Sequence, residues 1–244
     1  MSRIFALVAL LWATAGAAAE CADRDYQGVS YTVCTAQPAR DTLRLFLADP
    51  EGIPFGGFAS VEQSLQGSGE KLGFAMNAGM FHRDFSPVGH YVESGVQKMR
   101  VIAGAGPGNF GLVPNGIFCI RPGRADVIET EAFLRTNPNC DYATQSGPML
   151  VIDGALHPRF LADGTSRFIR NGVGTTADGS RAHFVISKSR VNFYDFASFF
   201  RDVLNVPQAL YFDGNVSRLY APNLERSDPG RRLGPIVGTV VSSK

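Results

Sequence analysis

Apolar runs in this chain are short, and glycine, proline, asparagine or aspartate interrupts each of them. That punctuation constrains the fold more than any other feature, because runs of this length bounded by turn residues read as β-strands. Candidate strands fall at 29–34, 42–48, 72–76, 116–120, 148–152, 182–186, 209–212 and 235–241. Helical periodicity is plain in one place. Phe193, Phe196, Ala197, Phe200, Val203 and Leu204 follow i, i+3, i+4, i+7 spacing behind Asn192, a good N-cap, and Pro207 closes the segment. Weaker helical patterns cover 61–66 and 129–135. The sequence therefore predicts an α+β fold: a mixed, largely antiparallel sheet with a few packed helices in a single domain. Many of the 27 glycines sit with Asn, Asp and Ser in stretches read as loops, where sites tend to lie. Asp153-Gly154 reads as a plain hairpin turn.

Residues 1–19 have the pattern of a secretory signal: Arg3, an apolar run through Trp12, and Gly16-Ala17-Ala18-Ala19 as a small-residue cleavage site. The processed chain, 20–244, is expected to begin near Glu20 and to reside in the periplasm or outside the cell. Cys21 invites a lipoprotein reading, but Glu20 stands where a lipid-attachment site wants a small residue. No other apolar run approaches the ~18 residues of a membrane span, so stable membrane insertion is not expected. With Arg3 removed the acidic and basic residues balance, and no basic stripe is present, which argues against nucleic acid as a partner.

Cys21, Cys34, Cys119 and Cys140 are an even set in a chain read as exported, so disulfides are expected. Three connectivities are open. Cys21–Cys34 with Cys119–Cys140 is favoured because each closes a short loop, worth on the order of 3 kcal/mol in the chain-entropy picture. No cysteine pair has zinc spacing.

Several strings invite a chemical reading and have a plainer one. GPGNFG (106–111) fits a dinucleotide fingerprint, but Leu112-Val113-Pro114 follows where a helix should open, so it reads as a glycine turn. Ser146, in QSGP, lacks the elbow of a hydrolase serine and reads as a strand entry that could line a pocket. His82, Asp84 and His90 match no metal-ligand spacing. The segment 211–217, YFDGNVS, is more informative: a hydrophobic strand ends on an acid, a glycine, an amide and a hydroxyl, as at a pocket floor. An ordinary Asp-Gly turn is its plainer reading.

Taken in order, MNAGMF (76–81), SPVGHYVESG (86–95), PNGIF (114–118), ATQSGPMLVIDG (143–154), IRNGVG (169–174), VNFYDFASFFRD (191–202) and YFDGNVSRLY (211–220) resemble the phosphodiester glycosidase family in its bacterial exported branch. The resemblance implies hydrolysis of the bond between a sugar anomeric carbon and a phosphodiester, with a carbohydrate phosphodiester as substrate and no metal or organic cofactor. Asn77, Arg170, Asn192, Asp213, Gly214 and Ser217 stand at the family's positions. Asn215 and Val216 depart from its Asp-Gly-Gly-Gly-Ser loop, which narrows the pocket and leaves the sugar open.

Glycosidases usually pair two carboxylates. Asp213 is expected as base or nucleophile, with Glu93 or Asp84 as the second. Arg170 would hold the diester through its planar fork, and Asn77 and Ser217 would bind sugar hydroxyls. A non-catalytic glycan- or phosphoglycan-binding protein on the same fold is the alternative, and a metal-dependent nuclease or phosphatase is disfavoured because no acid cluster is present.

Overall fold

Every strand pairing among the described residues, 19–243 of this computed structural model, is antiparallel, and the strands form three sheets where one was expected. The largest has seven strands in the spatial order Glu20–Tyr26, Val29–Ala36, Ala182–Ser187, Asn171–Thr175, Gln208–Asp213, Met149–Ile152 and Ala155–Leu156. A five-stranded sheet runs Arg226–Ser227, Leu219–Ala221, Glu70–Asn77, Ile236–Ser242, Thr42–Phe46. The other five-stranded sheet runs Val96–Met99, Tyr91–Glu93, Tyr142–Ser146, Gly116–Arg121, Arg124–Glu129. The segment expected to be a signal lies, apart from Ala19, outside the described residues.

The sheets meet over an aromatic core. Phe74, Phe118, Phe184 and Phe212, one or two from each sheet, are fully buried, with Phe184 5.2 Å from Phe74 and 5.5 Å from Phe118 between ring centroids. Each such side chain stabilises the fold by roughly 1.5–3 kcal/mol through removal from water.

Three α-helices pack on this frame. Helix α1 (Phe58–Gln66) buries Phe58, Val61 and Leu65 and begins earlier than the 61–66 pattern indicates, because Gly57 supplies no side-chain cap to mark its start. Helix α2 (Thr130–Thr136) is capped by Glu129, whose carboxylate accepts from Glu131 N at 3.0 Å and Ala132 N at 2.9 Å. Helix α3 (Phe193–Asp202) lays Phe196, Ala197, Phe199 and Phe200 on Tyr31, Val185 and Ala209 of the seven-stranded sheet. Its Asn192 cap accepts from Asp195 N at 2.8 Å, an interaction worth about 1 kcal/mol. No helix among the described residues is long and apolar enough to cross a membrane.

Most glycines lie in loops as expected, and a few stand inside strands, two of them in a strand that was not expected. In Asn171–Thr175 a Cβ on Gly172 would lie 2.5 Å from Leu210 O, and one on Gly174 2.7 Å from Val206 Cγ2, so only glycine lets this central strand lie under its neighbours. Both favoured disulfides are present, Cys21–Cys34 joining directly opposed residues of the first two strands and Cys119–Cys140 tying Gly116–Arg121 to the segment after α2. The 106–111 string forms a short 3₁₀ turn at Gly108–Gly111 ahead of that strand, with no helix behind it. Asp153 and Gly154 both take positive φ in a tight two-residue hairpin turn.

Candidate active site

Asp213 ends a central strand of the seven-stranded sheet. A β-bulge there sets Asn171 opposite Asp213 but Gly172 opposite Tyr211, and this irregularity re-aims the acid at the strand end. Its Oδ1 accepts from Gly214 N at 2.5 Å and Asn215 N at 2.6 Å. Burial raises its carboxyl above the ordinary value, opposed by these backbone N–H groups, and no basic group among the described residues pairs with it.

The loop that follows is anchored from behind. Asn77 Nδ2 donates to Asn171 Oδ1 at 3.0 Å, Asn171 Nδ2 donates to Asn77 O at 2.8 Å, and Arg218 N donates to Asn77 Oδ1 at 3.0 Å. Ser217 Oγ lies 3.1 Å from Asn171 Oδ1 and 3.0 Å from Asp213 O, with one proton to share between them. Asn77 and Asn171 thereby tie two sheets together directly beneath the acid. Gly214 is small for a steric reason: a Cβ would lie 2.3 Å from Tyr211 Oη, which passes under the loop. Burial also raises the Tyr211 phenol far above its ordinary value.

Asp213 opens into a cavity of about 600 Å³ whose walls come from three distant segments. Met80, Phe81, His82, Arg83 and Val88 form one, Ile102, Gly106, Pro107 and Phe110 the second, and Asn215 and Val216 the third. Buried Gln145 fixes the second wall, accepting from Ile102 N at 3.0 Å and donating to Ile102 O at 2.7 Å. Asp213, His82 and Arg83 are the ionisable groups of the lining. On the far side of the 213–217 loop lies a polar pocket of about 430 Å³, lined by Ser217, Asp23, Lys188, Arg226 and Asp228 among others.

A sequence profile described as phosphodiester glycosidase matches residues 70–238. The chain is 34% identical over 220 residues to the Escherichia coli K12 protein YigE, described as uncharacterized, a match covering 90% of this chain and 85% of YigE. The chain belongs to the phosphodiester glycosidase family. Among solved structures, its fold is similar to the catalytic domain of zebrafish N-acetylglucosamine-1-phosphodiester alpha-N-acetylglucosaminidase, at TM-score 0.59 and 16% identity over 90% of this chain and 81% of that one. It is also similar to a hypothetical protein from Synechocystis, at TM-score 0.60 and 13% identity over 91% and 61% of the two chains.

The residues expected from the phosphodiester glycosidase resemblance are distributed unevenly around this site. Asp213 and Gly214 are at its centre, and Asn77 and Ser217 belong to the network beneath, their side chains spent on protein partners. Arg170 is 1% exposed, its guanidinium 3.7 Å from the Phe193 ring centroid, with Nε donating to Val191 O and Nη2 to Ser166 O, both at 2.9 Å. Its Nη1 has no hydrogen-bond partner, and burial lowers its pKa. Asn192, the α3 cap, also donates to Ala162 O and Gly164 O, both at 3.1 Å. Ser146 Oγ is buried and donates to Phe212 O at 3.2 Å.

The two expected partner acids lie elsewhere. Glu93 Oε2 is 2.8 Å from Lys98 Nζ, Oε1 accepts from Leu47 N at 3.4 Å, and neither oxygen faces the cavity that holds Asp213. Asp84 is exposed on the 81–87 loop and accepts from Ser86 Oγ at 2.6 Å and Ser86 N at 3.1 Å, bonds that lower its pKa. His90 is buried, with Nδ1 3.1 Å from Met99 O. Among the described residues no cluster of His, Cys, Asp or Glu is arranged to hold a metal ion. Asn171 and Arg83 carry no expectation from the sequence, although the string IRNGVG contains the one and MNAGMF lies just before the other, and His82, weighed there as a metal ligand and set aside, lines the cavity instead.

Proposed function

We propose that this chain is an exported phosphodiester glycosidase, periplasmic or secreted, that hydrolyses the glycosidic bond of a sugar 1-phosphodiester from an envelope or extracellular glycan. The observation that carries this reading is Asp213: the one carboxylate among the cavity's lining residues, free of any cation and seated at a strand end on backbone N–H groups. Ionised, it serves as general base. It takes a proton from a water whose oxygen attacks the anomeric carbon. The carbon–oxygen bond to phosphate breaks, and the electron pair leaves with the phosphate monoester. A phosphate leaving group is a weak base and needs little protonation, so one carboxylate suffices where ordinary glycosides require two.

Arg170 supports this chemistry from below as a buried cation without an acidic partner, a source of positive potential beside the Asp213 strand. Asn77, Asn171 and Ser217 position the loop. A cavity with a single acid also suits the alternative, a glycan-binding protein without turnover.

The test is release of free reducing sugar from a panel of synthetic sugar 1-phosphodiesters, with and without chelator, beside Asp213→Asn. Turnover that survives chelator and disappears in the variant supports the reading. Binding of a panel member without hydrolysis over long incubation moves the assignment to a binding protein. With one base delivering water, the first product anomer should be inverted, which proton NMR of early time points reads directly.

A further inference from the structure

The cavity beside Asp213 is asymmetric in a way that hydrolysis of the sugar bond does not require. Its ionisable groups, Asp213, His82 and Arg83, belong to two of the lining segments, whereas Met80, Val88, Ile102, Pro107, Phe110 and Val216 make most of the remaining wall from hydrocarbon. Arg83 is exposed and makes no ion pair or hydrogen bond within the described residues. His82 is exposed beside it, and the neighbouring Asp84 carboxylate is turned onto Ser86.

We propose that the hydrocarbon wall of this cavity is a subsite for the alcohol half of the diester, the Asp213 end being left to the sugar, and that this alcohol is a hydrocarbon chain, with Arg83 and His82 taking the phosphate at the cavity's edge. The inference rests on the phosphodiester reading for the identity of the anion. The apolar wall carries the rest of the argument.

A sugar or glycerol as the alcohol half would bring several hydroxyls against the methyl, thioether and ring surfaces of Met80, Val88, Ile102 and Phe110, whose side chains offer no partner, and an unpaired polar group is strongly disfavoured away from water. A hydrocarbon chain has no such groups and gains affinity with every methylene it buries. The volume, about 600 Å³, is that of a cavity for a sizeable organic group. Charge complementarity fixes the chain's attachment point, since the free guanidinium of Arg83 meets a phosphate oxygen pair in fork geometry. The polar pocket across the 213–217 loop contrasts with this arrangement. There Lys188 pairs with Asp23 at 2.7 Å and Arg226 with Asp228 at 2.8 Å, so its charges already satisfy one another.

Sugar-free diesters separate this inference from the hydrolysis reading. Calorimetry on the purified chain with dimethyl phosphate and methyl octyl phosphate, the latter below its aggregation concentration, should show the octyl ester binding at least about 10-fold more tightly, at about fourfold per buried methylene. Ile102→Asp should abolish that advantage. Val88→Thr, a nearly isosteric change, should reduce it and serves if Ile102→Asp does not fold. Arg83→Gln should weaken both esters by a similar factor.

Equal affinity of the two esters, absence of octyl binding at millimolar concentration, or an advantage that survives both wall substitutions would overturn the proposal. These outcomes are independent of turnover. A chain that hydrolyses sugar 1-phosphodiesters but does not distinguish methyl from octyl loses only the hydrocarbon subsite. A chain that prefers octyl but hydrolyses no member of the sugar panel loses only the glycosidase.

Discussion

The two cavities that share the 213–217 loop, of about 430 and 600 Å³, are of opposite construction. The polar one, beside Ser217, collects acids and bases that pair with each other, Lys188 with Asp23 and Arg226 with Asp228, and Arg226 also donates to Thr32 Oγ1 at 2.8 Å. The apolar one holds fewer ionisable groups, but Asp213 and Arg83 have no ionic partner there. A high density of polar side chains therefore marks structural cross-linking here, and on the proposed function it is the groups without a partner that are kept for chemistry. Self-paired ions near a surface contribute little and are screened. An unpaired acid in a partly desolvated cavity costs stability, and that cost is typical of a working site.

Asp213→Asn puts the largest effect on this contrast. Turnover should fall by roughly 10²- to 10⁴-fold, the usual contribution of a positioned base. Stability should move the other way. A carboxyl whose pKa is raised by folding contributes its full stability below its unfolded value and loses it as pH rises through the folded value, so at neutral pH the ionised acid is a burden. The variant should melt higher than the parent at pH 7, and the gain should vanish in acid. For the same reason the acidic limb of kcat/KM in the parent should lie above pH 3.8, the ordinary value for this group. A variant that retains full turnover would remove Asp213 from the mechanism.

On the polar side, Asp228→Asn breaks a two-pronged contact with Arg226 and weakens the acceptor of Leu219 N. It should lower stability by about 0.5–1.5 kcal/mol in denaturant titration and leave the turnover of the folded fraction near the parent's. Loss of turnover at intact stability would instead place the reaction in the polar pocket.

A smaller effect is expected at His183, which is half-buried with Nδ1 2.9 Å from Thr35 Oγ1 and whose pKa is lowered to about 4, first by desolvation and then by Arg181 and Arg24. A base with a lowered folded value contributes stability above its unfolded value of 6.5 and loses it as pH falls through the folded one. Stability should thus decline between about pH 6.5 and 4, and His183→Gln should flatten that slope in melting curves. The smallest change is expected from Glu93→Gln, with turnover staying within roughly twofold, as for substitutions away from the chemistry. A loss matching that of Asp213→Asn would restore a two-carboxylate mechanism.

What could be read before folding was local. Strand 209–212 ending on Asp213-Gly214, the 3.6-residue period of α3 behind Asn192, and the two short-loop disulfides are encoded in neighbouring residues, and each stands in the structure. Asn171–Thr175 escaped because its Asn-Gly-Val-Gly-Thr run lacks a continuous apolar stretch, whereas the close approach of Leu210 O and Val206 demands its glycines. Glu20–Tyr26 escaped because it is a polar edge strand with a mostly exposed pattern. Glu93 looked eligible because it belongs to a family-like string. Which face of a strand an acid occupies depends on register, and register here turns it to Lys98 and Leu47. The cavity walls were invisible for a related reason, since residues 80–88, 102–110 and 213–216 meet only once three sheets have stacked.

The outer strands of the seven-stranded sheet bear on how copies of this chain behave toward one another. One edge ends in the two-residue strand Ala155–Leu156, and the other is Glu20–Tyr26, which carries Glu20, Asp23, Arg24 and Asp25 and is stapled to its neighbour by Cys21–Cys34. Neither edge offers a long, flat, uncharged row of backbone groups as a template for strand addition. With its covalent staple the charged edge cannot peel away to expose the strand behind it. The sheet is thereby protected against edge-to-edge growth at high concentration, and the protection is built into the first strands of the fold.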